Sequence, residues 1–148
     1  MNIIIKTAVR STVNLVRDGF NKSLFMSLNP PFPPVRVLRF DGCKTGDRVV
    51  LELNFLLYRQ TWESLITADV SIANEFSFID EGVTLPFFLK SWKHHHLVLA
   101  EPNGGSCVID DISFSTGWLL TDCLMYPLLY LQFLYRKPIY RKVFAKES

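Results

Sequence analysis

The sequence predicts an α+β protein: a curved antiparallel sheet of about seven strands wrapped around a long C-terminal helix, with two short helices after the first strand. Three observations predict it. The chain opens on a β-branched run, Ile3–Val9. Roughly eighty residues of alternating pattern follow, punctuated by Gly-containing turns. The chain then closes on a very apolar stretch, from Leu119 towards Phe144, that ends in basic residues.

Each element has its own signal. Ser11 or Thr12 can cap a helical turn in which Val13, Val16 and Phe20 recur at helical spacing, and Ser23–Leu28 makes a second turn. Asn29-Pro30-Pro31-Phe32-Pro33-Pro34 cannot continue a helix, because proline lacks the donor and fixes φ, so it reads as an extended connector. Val35–Phe40 is the second strand, and Asp41–Asp47 a hairpin loop. Arg48–Leu57 is the third, with Val49, Leu51, Leu53, Phe55 and Leu57 on one face. Gln60–Thr67, Glu75–Asp80, Phe87–Ala100 and Cys107–Ser115 complete the sheet, with a turn at Glu101–Gly105. In the last helix Thr121 or Asp122 is the expected cap, Pro127 belongs in the first turn, and Pro138 should kink or interrupt the run.

Composition bounds the function classes. With 148 residues the chain is expected to form one domain, 1–148, and 49% hydrophobic and 14% aromatic content can both fill a core and line a pocket. A net charge of +2 is too mild to argue for nucleic-acid binding. Cys43, Cys107 and Cys123 are odd in number and widely spaced, which fits free thiols in a cytoplasmic protein. The apolar N-terminal run is too short for a secretory signal. Leu119–Tyr135 is interrupted by Asp122, Pro127 and Gln132 and is shorter than the ~20 residues of a membrane span.

The order of strand, two short helices, meander and terminal helix resembles the START-like helix-grip superfamily (SRPBCC) over nearly the whole chain. Several strings are similar to its bacterial, uncharacterised ligand-binding branch: Leu28-Asn29-Pro30 before the proline-rich connector, Phe78-Ile79-Asp80-Glu81-Gly82, Trp92-Lys93-His94-His95-His96, Ile109-Asp110-Asp111-Ile112 and Phe133-Leu134-Tyr135-Arg136. The resemblance implies a cavity between sheet and long helix and binders of hydrophobic ligands, with cyclases, aromatases and hydrolases among the relatives. It transfers the cavity and not a substrate.

Chemistry-bearing residues cluster in the sixth strand. Alternation puts Trp92, His94 and His96 on one face and Lys93 and His95 on the other, so at most two imidazoles converge, about 7 Å apart along the strand. The following turn brings Asp110 or Asp111 near His96, and His96 with Asp111 is the expected polar pair. A metal would need further ligands from Asp80, Glu81 or Asp111, none at diagnostic spacing, so no metal ligand, cofactor or catalytic residue is assigned. Asp80-Glu81 reads as a solvated pair on a turn. Trp62, Phe76, Phe78 and Trp92 are candidate cavity aromatics, and equally candidate core. On the helix, Leu120, Leu124, Leu128, Leu131 and Tyr135 share the spacing expected to face the sheet, and Tyr130 is a candidate polar contact.

Three functions stand open on these residues. The first is a binder of a hydrophobic small molecule or lipid, using Trp62, Phe76, Phe78, Trp92, His94, His96, Leu124, Leu128 and Tyr130. The second is a cyclase, dehydratase or hydrolase using a histidine and a carboxylate. The third is a module that meets a membrane surface or a second copy through the apolar helix and its basic tail, Arg136 to Lys146.

Overall fold

The computed structural model describes residues 1–146. Seven strands form a single antiparallel sheet: β1 (Asn2–Val9), β2 (Val35–Phe40), β3 (Arg48–Asn54), β4 (Arg59–Ile72), β5 (Glu75–Thr84), β6 (Ser91–Ala100) and β7 (Ser106–Ser115), in the spatial order β1-β7-β6-β5-β4-β3-β2. Each sequential pair from β2 to β7 is a neighbour, and β1 returns to the far edge beside β7. The helices are α1 (Val13–Gly19), α2 (Lys22–Ser27), α3 (Leu119–Leu134) and α4 (Arg136–Val143). This is the expected α+β arrangement, a curved sheet holding a terminal helix.

Local chemistry sets the boundaries. The Thr12 hydroxyl accepts from the Leu15 N–H at the start of α1, and the Asn21 side chain accepts from the Leu24 N–H at the start of α2. Gly19 lies where an added Cβ would sit 2.5 Å from the Phe144 ring, so its lack of a side chain lets the end of the chain close over α1. The chain end is pinned there, because the Phe144 carbonyl accepts from the Arg10 and Ser11 N–H groups at 3.2 Å.

Four strand boundaries differ by more than one residue from the sequence expectation. Strand β3 stops at Asn54, because the Leu56 N–H turns onto the Asn54 side chain and Leu56 adopts φ 66°. The alternation ran on to Leu57 only because this turn is itself apolar. The hairpin β4–β5 runs past Thr67 and Asp80 to Ile72 and Thr84, and β6 begins at Ser91, since Phe87–Lys90 belongs to a turn closed by Leu89 N–H to the Pro86 carbonyl.

The terminal helix is the larger correction. Its sheet-facing side carries Asp122, Leu129 and Phe133, with Met125 packed against the same cluster, while Leu120, Leu124, Leu128 and Leu131 are more than half exposed. The helix is rotated by about one residue, roughly 100°, from the face its spacing suggested. Apolar residues surround it, so periodicity alone could not choose a face. Asp122 chooses it: its carboxylate accepts from the Thr116 N–H at 2.6 Å and the Thr116 hydroxyl at 2.7 Å, so it ties the preceding loop rather than capping. Pro127 falls in mid-helix rather than in the first turn. The break expected near Pro138 occurs at Tyr135, between α3 and α4. No described helix is long and apolar enough to cross a membrane.

Two clusters form the core. One joins Val16, Leu24, Phe76, Phe78, Val98 and Val108 to Tyr140 and Phe144; the other joins Ile3, Ile5, Trp92 and Ile112 to Leu129 and Phe133. Both lie where helices meet β1, β7, β6 and β5.

Candidate functional site

Between the clusters and the β2–β4 end of the sheet lies a cavity of about 680 Å³. Its wall is mostly apolar, including Leu24, Leu51, Leu53, Trp62, Phe78 and Phe88. Its mouth exposes Phe32, Tyr58, Phe87, Leu128 and Leu131. The aromatics knit the two adjoining loops, with Tyr58–Phe87 and Phe55–Phe88 edge-to-face at 5.7 and 5.8 Å.

One polar constellation interrupts this wall, and the ladder builds it. In register, Phe78 stands opposite His96, Asp80 opposite His94, and Asp110 opposite His96, so all share the inner face. Each histidine bonds the carboxylate opposite the other. His94 Nε2 meets Asp110 Oδ1 at 2.9 Å, and His96 Nε2 meets Asp80 Oδ2 at 2.8 Å. The ring centroids are 3.5 Å apart, so the rings lean together well inside the strand repeat. Phe78 stacks on His96 at 4.2 Å, and Trp92 Nε1–H donates to Asp80 Oδ1 at 3.1 Å. Behind the histidines, Asp110 also faces Arg136 Nη1 at 3.6 Å and accepts from the Tyr140 hydroxyl at 3.5 Å. Arg136 lies over the Phe133 ring at 4.3 Å and reaches the cavity wall.

Burial shapes the protonation of this group. Desolvation pulls His96 down to about 4, reinforced by the neighbouring His94. Desolvation also works to raise both carboxyls, yet both are held below the usual carboxylate range. For Asp80 the His96 hydrogen bond and the nearby imidazoles outweigh burial, and for Asp110 the His94 hydrogen bond does so, helped by Arg136. Tyr140 is raised by burial and by the Asp110 charge, so it remains a donor.

The candidate residues divide accordingly. Trp62, Phe78, Trp92, His94, His96 and Leu128 line the cavity. Phe76 is buried core beneath it. Leu124 and Tyr130 point elsewhere on α3, Tyr130 stacked on Tyr126 at 6.2 Å. Asp111 is not the partner of His96. It stands opposite His95 on the outer face, and Asp80 takes its place. Sequence reasoning named Asp80 only as a possible further metal ligand and otherwise read it as solvated, left Asp110 and Asp111 undivided before pairing His96 with Asp111, and placed Arg136 in the basic tail rather than at the site. Extending the Phe76–Phe78 alternation by two residues would have put Asp80 on the inner face.

Comparison with known proteins reaches the same architecture. No protein-family model matches the chain, and no curated protein matches it. Among solved structures, protein Ms6760 from Mycobacterium smegmatis superposes with a TM-score of 0.62 at 17% identity, covering 93% of this chain and 87% of its own. The Zhui aromatase/cyclase from Streptomyces sp. R1128 gives 0.62 at 12% identity, covering 93% and 89%. The chain has the helix-grip fold. The di-domain aromatase/cyclase StfQ of the steffimycin pathway gives 0.69 at 9% identity, covering 97% of this chain and 50% of StfQ. At such identities these helix-grip structures share the fold and carry no residue roles across.

Proposed function

We propose that this helix-grip protein binds a hydrophobic small molecule of lipid-like character, apolar along most of its length and polar at one end. The observation that carries this reading is the 680 Å³ cavity with one polar cluster in an apolar wall. Its volume lies within the ~300–1,000 Å³ of small-molecule sites. The apolar body of the ligand would lie against Leu51, Trp62 and Phe88, gaining about 25 cal/mol per Å² buried. Its polar end would meet His96 and Arg136, whose guanidinium has donors beyond those facing Asp110. Native mass spectrometry of gently purified protein tests for a retained ligand, and titration with 1-anilinonaphthalene-8-sulfonate tests the emptied cavity. One molecule of dye should bind per chain. Leu51→Trp, which fills the cavity, should weaken binding at least tenfold while leaving the melting temperature near that of the parent. Equal dye binding by both proteins overturns the proposal.

A second reading has its own observation. His96, held neutral by burial and bonded to Asp80 at the cavity wall, has the composition of a general acid–base pair, and two of the structures that share the fold are aromatase/cyclases. In that reading the same cavity would hold a substrate rather than a cargo. An imidazole of ordinary, exposed titration at His96 in proton NMR would remove it.

A further inference from the structure

We propose that Asp80, His94 and His96 form a binding site for a first-row divalent transition ion on the cavity wall, with Asp110 as the outer carboxylate that orients both imidazoles. The inference does not depend on what fills the cavity.

Asp110 is an acceptor, so the ring nitrogen facing it at 2.9 Å, His94 Nε2, carries the proton. In a neutral ring, His94 Nδ1 is then a bare lone pair, and it faces Asp80 Oδ2 at 3.6 Å. By the same reasoning His96 Nε2 donates to Asp80 at 2.8 Å, and His96 Nδ1 is a lone pair facing Asp110 Oδ1 at 3.9 Å. With both rings neutral, the structure therefore sets acceptor against acceptor twice among buried groups. His96 Nδ1 and Asp110 Oδ2 are both buried and without hydrogen-bond partners. Such orphans in a buried network are costly and call for an explanation.

A cation between Asp80 and the two rings removes the conflict. It would take Asp80 Oδ2, His94 Nδ1 and His96 Nε2 as donors; each of the three residues offers a ligand atom within 4.8 Å of those of the other two. Bonds of about 2.0–2.2 Å to an ion require donor atoms roughly 3–3.5 Å apart, close to the 2.8 and 3.6 Å between Asp80 Oδ2 and the two nitrogens. With its proton displaced from Nε2, His96 becomes the Nδ1–H tautomer and donates towards Asp110, so the orphaned His96 Nδ1 gains an acceptor to face. Asp110 then receives one N–H from each histidine, the carboxylate–histidine–metal arrangement that fixes ring orientation. Trp92 Nε1–H holds Asp80 Oδ1 at 3.1 Å and leaves Oδ2 for the ion.

Charge favours the same position. The cluster holds two carboxylates and one guanidinium, and Arg136 compensates Asp110 from behind. Asp80 is left as the uncompensated anion at the cavity side. Two imidazoles and a carboxylate select borderline ions such as Zn²⁺ or Fe²⁺ over Ca²⁺ or Mg²⁺. The three ligands line the cavity, so the remaining coordination positions face whatever enters it.

The test uses whole protein stripped with a chelator, then titrated with Zn²⁺ against a chromophoric competitor and with Co²⁺ by visible absorption. The expected result is one equivalent of either ion and a visible Co²⁺ spectrum typical of few-coordinate nitrogen and oxygen ligation. His96→Gln and Asp80→Asn should each weaken Zn²⁺ binding at least 100-fold, and Asp110→Asn about 10–100-fold. His95→Gln, on the outer face, should leave it unchanged. Should the inner variants fail to fold, the parent protein still decides the matter, since its melting temperature must rise with Zn²⁺ concentration as mass action requires. No stoichiometric Zn²⁺, an unshifted melt, or binding lost with His95→Gln and kept with His96→Gln overturns the site, leaving protons as the only cations the pair takes up.

Discussion

The two halves of the sheet's inner face are built from the same kind of sequence and do opposite things. Across β1, β7, β6 and β5, apolar residues meet α1, α3 and α4 and close into core, with Tyr140 and Phe144 packed on Val98 and Val108. Across β3 and β4, Leu51, Leu53 and Trp62 point at a cavity. The difference lies in helix coverage and not in strand composition. The terminal helix spans one end of the sheet, and where its cover stops the apolar wall stays open. The His–Asp cluster sits at the boundary, on β5 to β7, where packed core meets open cavity.

Truncating one residue in each half tests this difference most severely. Phe144→Ala removes a nearly fully buried ring that stacks on Phe20 at 6.2 Å, and should cost about 3–5 kcal/mol in urea unfolding. Leu51→Ala should cost only about 1 kcal/mol, since its side chain already faces free volume and leaves no new cavity behind. Equal losses would mean that the cavity collapses around Leu51 in solution, and the contrast between the halves would go with it.

The boundary cluster supplies the next effect, in acid. With a chelator present, the unfolded chain protonates His96 below its ordinary value of 6.5, whereas the folded chain does so only near 4. The unfolded state therefore binds more protons between these values. The stabilisation is complete above pH 6.5 and is lost as pH falls towards 4, by at most about 3 kcal/mol. Asp80 and Asp110, both held low, act with the same sign further down: their contribution is present above the ordinary carboxylate range and lost as pH falls through it. His96→Gln should flatten the upper part of the curve in urea titrations at stepped pH. An unchanged slope in that variant would place the acid sensitivity outside the cluster.

The comparison also explains what could be read from sequence. Turn residues and period-two alternation are local, so the strand order and both short helices follow from the residues themselves, and with them the fold. The inward face of β6 follows in the same way, since alternation alone puts His94 and His96 together. Pairing across strands is not local. Whether Asp110 or Asp111 joins them depends on the β6–β7 register, and Asp80 joins only because β5 continues past the point where its apolar residues stop. Leu128 and Leu129 are equally apolar, and only the tie from Asp122 to Thr116 decides which turns inward. Nor does composition distinguish Val98 in the core from Leu51 on a cavity wall. That depends on where a helix ends in space.

The smallest expected effect lies at the rim of the open half. Leu56 is 81% exposed at φ 66°, in the turn where the Phe55 N–H donates to the Tyr58 carbonyl at 2.9 Å. A left-handed conformation costs a leucine about 1–2 kcal/mol, and glycine adopts it freely. Glycine also loses about 0.5–1 kcal/mol through the greater freedom of the unfolded chain. Leu56→Gly should therefore stabilise the protein slightly, by less than about 1.5 kcal/mol, with dye binding unchanged because Leu56 does not line the cavity. A loss of stability would show that the exposed leucine makes contacts at the rim that outweigh its strained backbone, and the open half would then be held by more than its wall.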